Sequence, residues 1–271
     1  MSASFQSPPA DDLRLLLPRA EAQAAGLEQD EEWCELHHDG GVERIRFHDY
    51  DRIYEIPGLY ERLFYEELEC RSPTVVRELL AADVAAEGVA PSSLSVLDLG
   101  AGNGMVAEEL RRLGVEEVVG VDILPEARMA AERDRPGLYR DYHVCDLTAP
   151  PADADAALRE LEPTCLTTVA ALGFGDIPPE AFATAFDYLA DDGWVAMTIR
   201  DDFVTDEDPS GFARLLRRMD EEGALELSAE RRYRHRLAVS GEPLHYHAYV
   251  ARKRDEIAPE WLAEASQLDP A

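Results

Sequence analysis

The stretch Ser95–Leu110, SVLDLGAGNGMVAEEL, constrains the fold of this chain most. Val96, Leu97 and Leu99 form a short apolar run. Gly100, Gly102 and Gly104 follow, and then an amphipathic helical pattern begins. A buried strand that turns through glycines into a helix is how α/β proteins cradle a nucleotide. Without a Cβ, the glycines allow backbone N–H groups to approach a ligand, and the helix start adds unpaired donors and a positive dipole end. The spacing departs from the dinucleotide fingerprint G-x-G-x-x-G, because the third glycine comes one residue early.

From that stretch onward, strand and helix patterns alternate. Strands are expected over Leu94–Leu99, Glu117–Ile123, Leu138–Cys145, Cys165–Leu172 and 194–200. Helices are expected over Met105–Leu113, Pro125–Arg133, Ala152–Leu161 and Pro179–Leu189. The alternation implies a parallel sheet with right-handed crossovers. After a helix at Pro209–Met219, Leu225–His235 and Leu244–Arg252 read as two strands with no helix between them, so they pair antiparallel. The tail from Pro259 reads as a short helix.

Ahead of the sheet, Asp11–Leu17 and Pro18–Ala25 carry helical periodicity, with Gly26 ending the second helix. Glu28–Glu32 reads as an acidic link. Trp33–His48 reads as a hairpin about Asp39-Gly40-Gly41. Its His37 and His38 point to opposite faces, which is poor ligand geometry. Tyr50, Tyr54, Tyr60 and Tyr65 then fall within sixteen residues. Leu59–Leu68 is helical in pattern, and Ser72-Pro73 reads as N-cap and first-turn proline of a helix reaching about Val84. Tyrosines so spaced fit either core packing with a wet tip or a lid over a bound molecule. The organisation expected is a flexible and helical extension (1–30), a hairpin and helical cap (31–90), an α/β core (91–258) and a tail (259–271).

The chain carries 56 acidic and 26 basic residues, a formal charge of −30, and Lys253 is its one lysine. Such a field repels phosphate backbones and argues against nucleic-acid partners. No run of about 18 apolar residues suits a membrane span, and the N-terminus lacks a basic and apolar leader pattern, so a cytoplasmic location is expected. Cys34, Cys70, Cys145 and Cys165 form no C-x-x-C pair and read as reduced thiols.

Three acids complete the pattern. Asp98 stands two residues before Gly100, Asp122 ends the second strand in VVGVDI, and Asp146 follows the third strand in Cys145-Asp146-Leu147. With the late antiparallel hairpin, they resemble the class I S-adenosylmethionine-dependent methyltransferases over roughly Leu94–Arg254. That resemblance implies a Rossmann-like seven-stranded, mostly parallel sheet whose last strand is antiparallel, with helices on both faces. It also implies S-adenosylmethionine as cofactor and S-adenosylhomocysteine as product. Carried over by position, Gly100, Ala101 and Gly102 line the methionine part, and Asp98 fixes the loop and reaches the methionine amino group through water. Asp122 holds the ribose with Ile123 against adenine, and Asp146 takes the adenine amino group with Leu147 beside the ring. Ala171, Gly173 and Phe174 face the methyl group and substrate, and Tyr50 and Tyr54 close over it.

Strand four ends AALGFGDIPP and lacks the N-P-P-Y or D-P-P-Y signature of enzymes methylating amino groups of bases or glutamine. With the acidic charge, a small-molecule oxygen or nitrogen acceptor is therefore expected, with a protein substrate as the alternative. Asp176, His48 and His245 are the acid–base candidates. His245 and His247 share a strand face, but without a third ligand no metal site is expected. Arg231, Arg232, Arg234 and Arg236, with Arg252, Lys253 and Arg254, give the late hairpin a basic character that suits three roles: balancing the acidic surface, binding an acidic substrate, or pairing two copies as a homodimer. A non-catalytic S-adenosylmethionine or nucleoside binder with a regulatory or scaffolding role is the alternative reading, and a nicotinamide oxidoreductase is a third. Dense like charge works against the compact state, and salt screens it. The melting temperature is therefore expected to rise between low-salt buffer and molar KCl; a temperature indifferent to salt would remove that account.

Overall fold

The computed structural model describes residues 14–38, 41–172, 176–201 and 210–265. Arg14–Leu16 (β1) pairs antiparallel with Trp33–His38 (β2), which forms a hairpin with Gly41–Arg46 (β3). The helix expected over Asp11–Leu17 is therefore a strand where it is described. Leu15 lies opposite Leu36 and is buried with Ile45 and Phe47, so ladder hydrogen bonds and a shared apolar face override the local helical period. Arg19–Ala25 (α1) closes at Gly26 as expected, with φ +64°. Tyr50–Glu55 forms a helix (α2) that the sequence pattern did not mark.

The helix expected over Leu59–Leu68 forms as a π-helix, Glu61–Glu67, in which the Leu68 N–H reaches back five residues to the Leu63 carbonyl. Ser72–Ala86 (α3) follows, but Arg71, not Ser72, holds the N-cap position. The Ser72 hydroxyl lies instead 2.6 Å from His235 Nδ1 and 2.5 Å from the Tyr233 hydroxyl. A tertiary partner has displaced the local cap.

The core then alternates Ser95–Leu99 (β4), Met105–Leu113 (α4), Glu117–Asp122 (β5), Pro125–Asp134 (α5), Asp141–Val144 (β6) and Ala152–Leu161 (α6). Cys165–Thr168 (β7), Pro179–Tyr188 (α7), Trp194–Arg200 (β8), Phe212–Glu221 (α8), Leu225–Leu237 (β9), Pro243–Lys253 (β10) and Pro259–Ala265 (α9) complete it. The sheet order is β6-β5-β4-β7-β8-β10-β9. Strands β4 to β8 run parallel, and β10 is antiparallel to both neighbours, as expected. Alternate residues of β4 feed two cores. Leu97 and Leu99 pack with Phe182 and Phe186 of α7; Val96 packs with Leu80 of α3 and Leu110 of α4. The chain runs outward from β4 to β6 and then returns to β7, and that reversal opens a crevice at the carboxyl ends of the strands.

Two buried cations tie elements together. Lys253 donates to the Phe186 and Leu189 carbonyls at 3.0 and 2.8 Å, satisfying the C-terminal end of α7. Arg236 on β9 pairs with Glu32 at 2.6 Å, both almost wholly buried, and Glu32 also accepts the Val239 N–H. Removing one partner of such a pair strands the other's charge in the interior. Arg236→Met is expected to lower unfolding stability in urea by about 3–5 kcal/mol, and the Glu32→Leu/Arg236→Met double variant to recover much of that loss.

Candidate active site

Strand β4 carries Asp98 to a position beneath the glycine turn. It is 1% exposed and lines neither cavity described below. Its Oδ1 accepts the Thr167 hydroxyl at 2.7 Å and its Oδ2 the Tyr139 hydroxyl at 2.9 Å. The Tyr139 hydroxyl also lies 3.2 Å from the Ala101 carbonyl, so the buried acid braces the turn from below. Burial pushes the Asp98 carboxyl up to about 6, against the opposing pull of those two hydroxyls.

The turn amides are already engaged. Gly100 and Ala101 both donate to the Val121 carbonyl, at 2.9 and 3.1 Å, and Gly102 donates to Asp122 Oδ2 at 2.9 Å. In this structure these three N–H groups have partners within the protein. The amides of Gly100, Ala101 and Gly102 face β5, and that of Gly104 turns back to the Ala101 carbonyl. Asp122 Oδ1 takes the Leu124 N–H at 2.9 Å, so one carboxylate ties the glycine turn to the start of α5. Burial raises its pKa, while the Leu124 and Gly102 amides pull it down. Gly102 has φ +53°, and a Cβ there would lie 2.5 Å from the Tyr54 hydroxyl, so that position excludes side chains twice over.

A cavity of about 390 Å³ lies over the strand ends. It brings together Gly100, Asp122, Ile123, Asp146, Leu147 and Ala171, with Tyr50, Tyr54, His48 and Asp176. Among the described residues its carboxylates are Asp51, Asp122, Asp146 and Asp176, and no lysine or arginine lines it. Asp146 sits exposed at the lip. The Thr148 amide and hydroxyl both donate to its Oδ1 at 2.8 Å and hold its pKa below the usual carboxylate range. Ile123 exposes an apolar face at the same edge.

A smaller chamber of about 60 Å³ shares Gly100, Ala171, Tyr54 and Asp176 with the cavity and adds Ala101 and Gly102. Tyr50, Tyr54 and Tyr60 form a stack with ring centroids 6.2 and 5.1 Å apart, and burial raises their hydroxyl pKa values. His48 Nδ1 lies 3.6 Å from Asp176 Oδ2, and both border both spaces. Two candidates from distant segments thus meet. His245 borders neither space, and its strand neighbour His247 is held by Glu230 at 2.7 Å and Asp201 at 3.2 Å. Among the described residues no group of metal-ligating side chains forms. Gly173 and Phe174 lie outside the described residues. Gln29 and Tyr246, which with Arg236 close the far side of the chamber, were not marked as site residues by the sequence, and Arg236 only as one of the hairpin's basic residues. They come from a segment read as a link and from the late hairpin, and carry no local signal.

A family model described as a methyltransferase domain matches residues 67–245, more than half of the chain. The chain belongs to this methyltransferase family. It is an S-adenosylmethionine-dependent methyltransferase. No curated protein matches it. Solved structures similar to the methyltransferase include magnesium protoporphyrin IX methyltransferase from Synechocystis with bound cofactor, 16% identical, covering 67% of this chain and 79% of that one at TM-score 0.44. An S-adenosylmethionine-dependent methyltransferase from Methanosarcina mazei is 17% identical, covering 60% and 93% at TM-score 0.43. A ribosomal protein L11 methylase from Lactobacillus delbrueckii is 17% identical, covering 65% and 77% at TM-score 0.42. The site's own chemistry fits the cofactor. S-adenosylmethionine is a nucleoside without phosphate and with a cationic sulfonium, and the described lining of the cavity offers carboxylates and no basic lysine or arginine.

The raised Asp98 pKa has a sign that can be tested. Folding favours its protonated form, so its contribution is fully present below about pH 4 and is lost as pH rises through about 6. The loss amounts to roughly 3 kcal/mol. In ligand-free protein, Asp98→Asn is expected to remove that dependence, gaining unfolding stability relative to wild type at pH 8 but not at pH 4. A difference independent of pH in urea titrations would contradict it.

Proposed function

We propose that this methyltransferase holds the adenosine of S-adenosylmethionine in the larger cavity and the methionine end across the glycine turn. The methyl group then passes to an oxygen or nitrogen of a small molecule. Asp122 accepts the ribose hydroxyls with the lone pairs that Gly102 and Leu124 leave, Ile123 and Leu147 flank adenine, and Asp146 receives its amino group. Asp98 acts through the turn it braces. The observation that carries the small-molecule reading is the chamber beside Ala171 and Asp176: at about 60 Å³ and roofed by stacked tyrosines, it suits a small group. The net charge of −30 disfavours polyphosphate substrates.

The bound cofactor supplies an electrophilic methyl on a positive sulfur. The chain's part is alignment and exclusion of water, because charge is lost from sulfur as the methyl moves and a dry, fixed site favours that change. Tyr50, Tyr54 and Tyr60 cover the junction. His48, faced by Asp176, is placed to take a proton from an acceptor that must lose one.

Calorimetry is expected to give S-adenosylmethionine binding that Asp122→Ala weakens about 10- to 100-fold, the cost of losing hydrogen bonds to a charged group. Unchanged affinity would overturn the ribose assignment. With labelled methyl donor and a cell extract, label is expected in the small-metabolite fraction; label confined to protein or nucleic acid would overturn the acceptor class.

A further inference from the structure

Resting on that reading for the identity of the ligand, we propose that Arg135 and Glu61 form a clasp that fastens the tyrosine roof to the glycine turn, and that its opening sets how fast the cofactor and its product leave. Neither residue lines the cavity or the chamber, so both are positioning residues that act through the groups they hold.

The clasp joins α5, the cap and the glycine turn. Arg135 stands at the C-cap of α5. Its Nη1 donates to Glu61 Oε1 at 2.7 Å and lies 3.2 Å from the Asn103 carbonyl, and its Nε donates to Glu108 Oε2 at 2.8 Å. The Asn103 side-chain amide donates to the same Glu61 oxygen at 2.8 Å. Asn103 belongs to the turn itself, is 2% exposed and lines the chamber. Glu61 begins the π-helix directly after Tyr60 of the ring stack. A second tie comes from the same end of α5, where Arg133 Nη1 donates to the Tyr54 carbonyl at 3.0 Å. The early third glycine also finds a reason here. Gly104 has φ +89°, and a Cβ on it would lie 3.3 Å from Arg135 Cδ and 3.1 Å from Leu138 Cδ2, crowding the arginine stem.

The contact is built to open. Glu61 serves both donors with one oxygen, and its Oε2 is buried with no hydrogen-bond partner among the described residues. A buried acceptor without a donor costs free energy, and water relieves that cost when Glu61 swings outward. Arg52 makes the contrast, because it grips both oxygens of Glu43, at 2.8 and 2.9 Å. With the clasp shut, the Tyr54 hydroxyl sits against Gly102 and the rings of Tyr50, Tyr54 and Tyr60 stack over the junction. A methionine end held beneath that roof leaves faster when the roof lifts.

The full chain is loaded with labelled S-adenosylhomocysteine and chased with excess unlabelled ligand. Arg135→Gln is expected to raise the release rate about tenfold or more without slowing association, and Arg135→Lys, which keeps the charge but not the fork, to fall between it and wild type. Glu61→Gln keeps an acceptor for Asn103 but loses the ion pair, so it also speeds release. The Glu61→Gln/Arg135→Gln double variant is expected to release no faster than Arg135→Gln, because both changes break one contact. Arg77→Gln is the control: it removes a 2.6 Å ion pair to Glu109 between α3 and α4, lines neither space, and is expected to leave release unchanged. Hydrogen exchange on ligand-free protein reads the roof without the cofactor. There Arg135→Gln is expected to speed amide exchange across residues 50–67 about fivefold or more and to leave β5 and β8 as in wild type. If Arg135→Gln does not fold, Arg135→Lys and Glu61→Gln carry the same comparisons. Release rates equal to wild type overturn the proposal, as do a control that speeds release equally and unaltered exchange across 50–67. A wild-type protein that binds neither S-adenosylmethionine nor S-adenosylhomocysteine would overturn the cofactor assignment, while the exchange result still decides the clasp, which separates the two failures.

Discussion

The Asp122 carboxylate holds two backbone amides at once, Gly102 from the glycine turn and Leu124 at the start of α5. Much of the site depends on that tether. It draws the turn against β5, where Gly100 and Ala101 also donate to Val121. Asp98 works from the other side, bracing the turn through Tyr139 while bonded to Thr167 on β7. The turn borders an acidic-walled cavity. A cationic, phosphate-free nucleoside is its complement.

Around that fixed floor, the chamber is closed by elements remote in sequence. Gln29 reaches Tyr246, Glu32 reaches Arg236, and Ser72 reaches His235 and Tyr233. Each contact joins the N-terminal segments to the late hairpin. These polar links are buried, where an unmade partner is costly, so they hold the cap in one register over the sheet. The tyrosine stack of α2 and the following turn is thereby set above Gly102, with the Tyr54 hydroxyl close enough to forbid a side chain there. The packing of the cap and the glycine turn are one constraint seen from two sides.

The repeating core was legible because its periods are strong and local. Met105–Leu113 and Ala152–Leu161 form as read, and the strands ending at Leu99, Asp122 and Arg200 fall within a residue of expectation. Acids at strand ends could be placed for the same reason: a parallel sheet brings the carboxyl ends of β4, β5 and β6 to one edge. The cap was harder to read. Asp11–Leu17 has a helical period, yet its described part became a strand, because β2 offered an open edge and an apolar face. Ser72 has the chemistry of an N-cap and left that role for His235.

The sequence by itself determined the doubly wound sheet, the glycine turn, the acids at its edge and the antiparallel last strand. Alternation and spacing act over a few residues and need no knowledge of distant segments. Tertiary structure alone decided which way the Gly100, Ala101 and Gly102 amides point, that His48 and Asp176 meet, and that Gln29 reaches the far wall of the chamber. Those outcomes depend on which segments pack across the sheet ends, and a hydrogen bond between residues 29 and 246 leaves no trace in the local pattern of either.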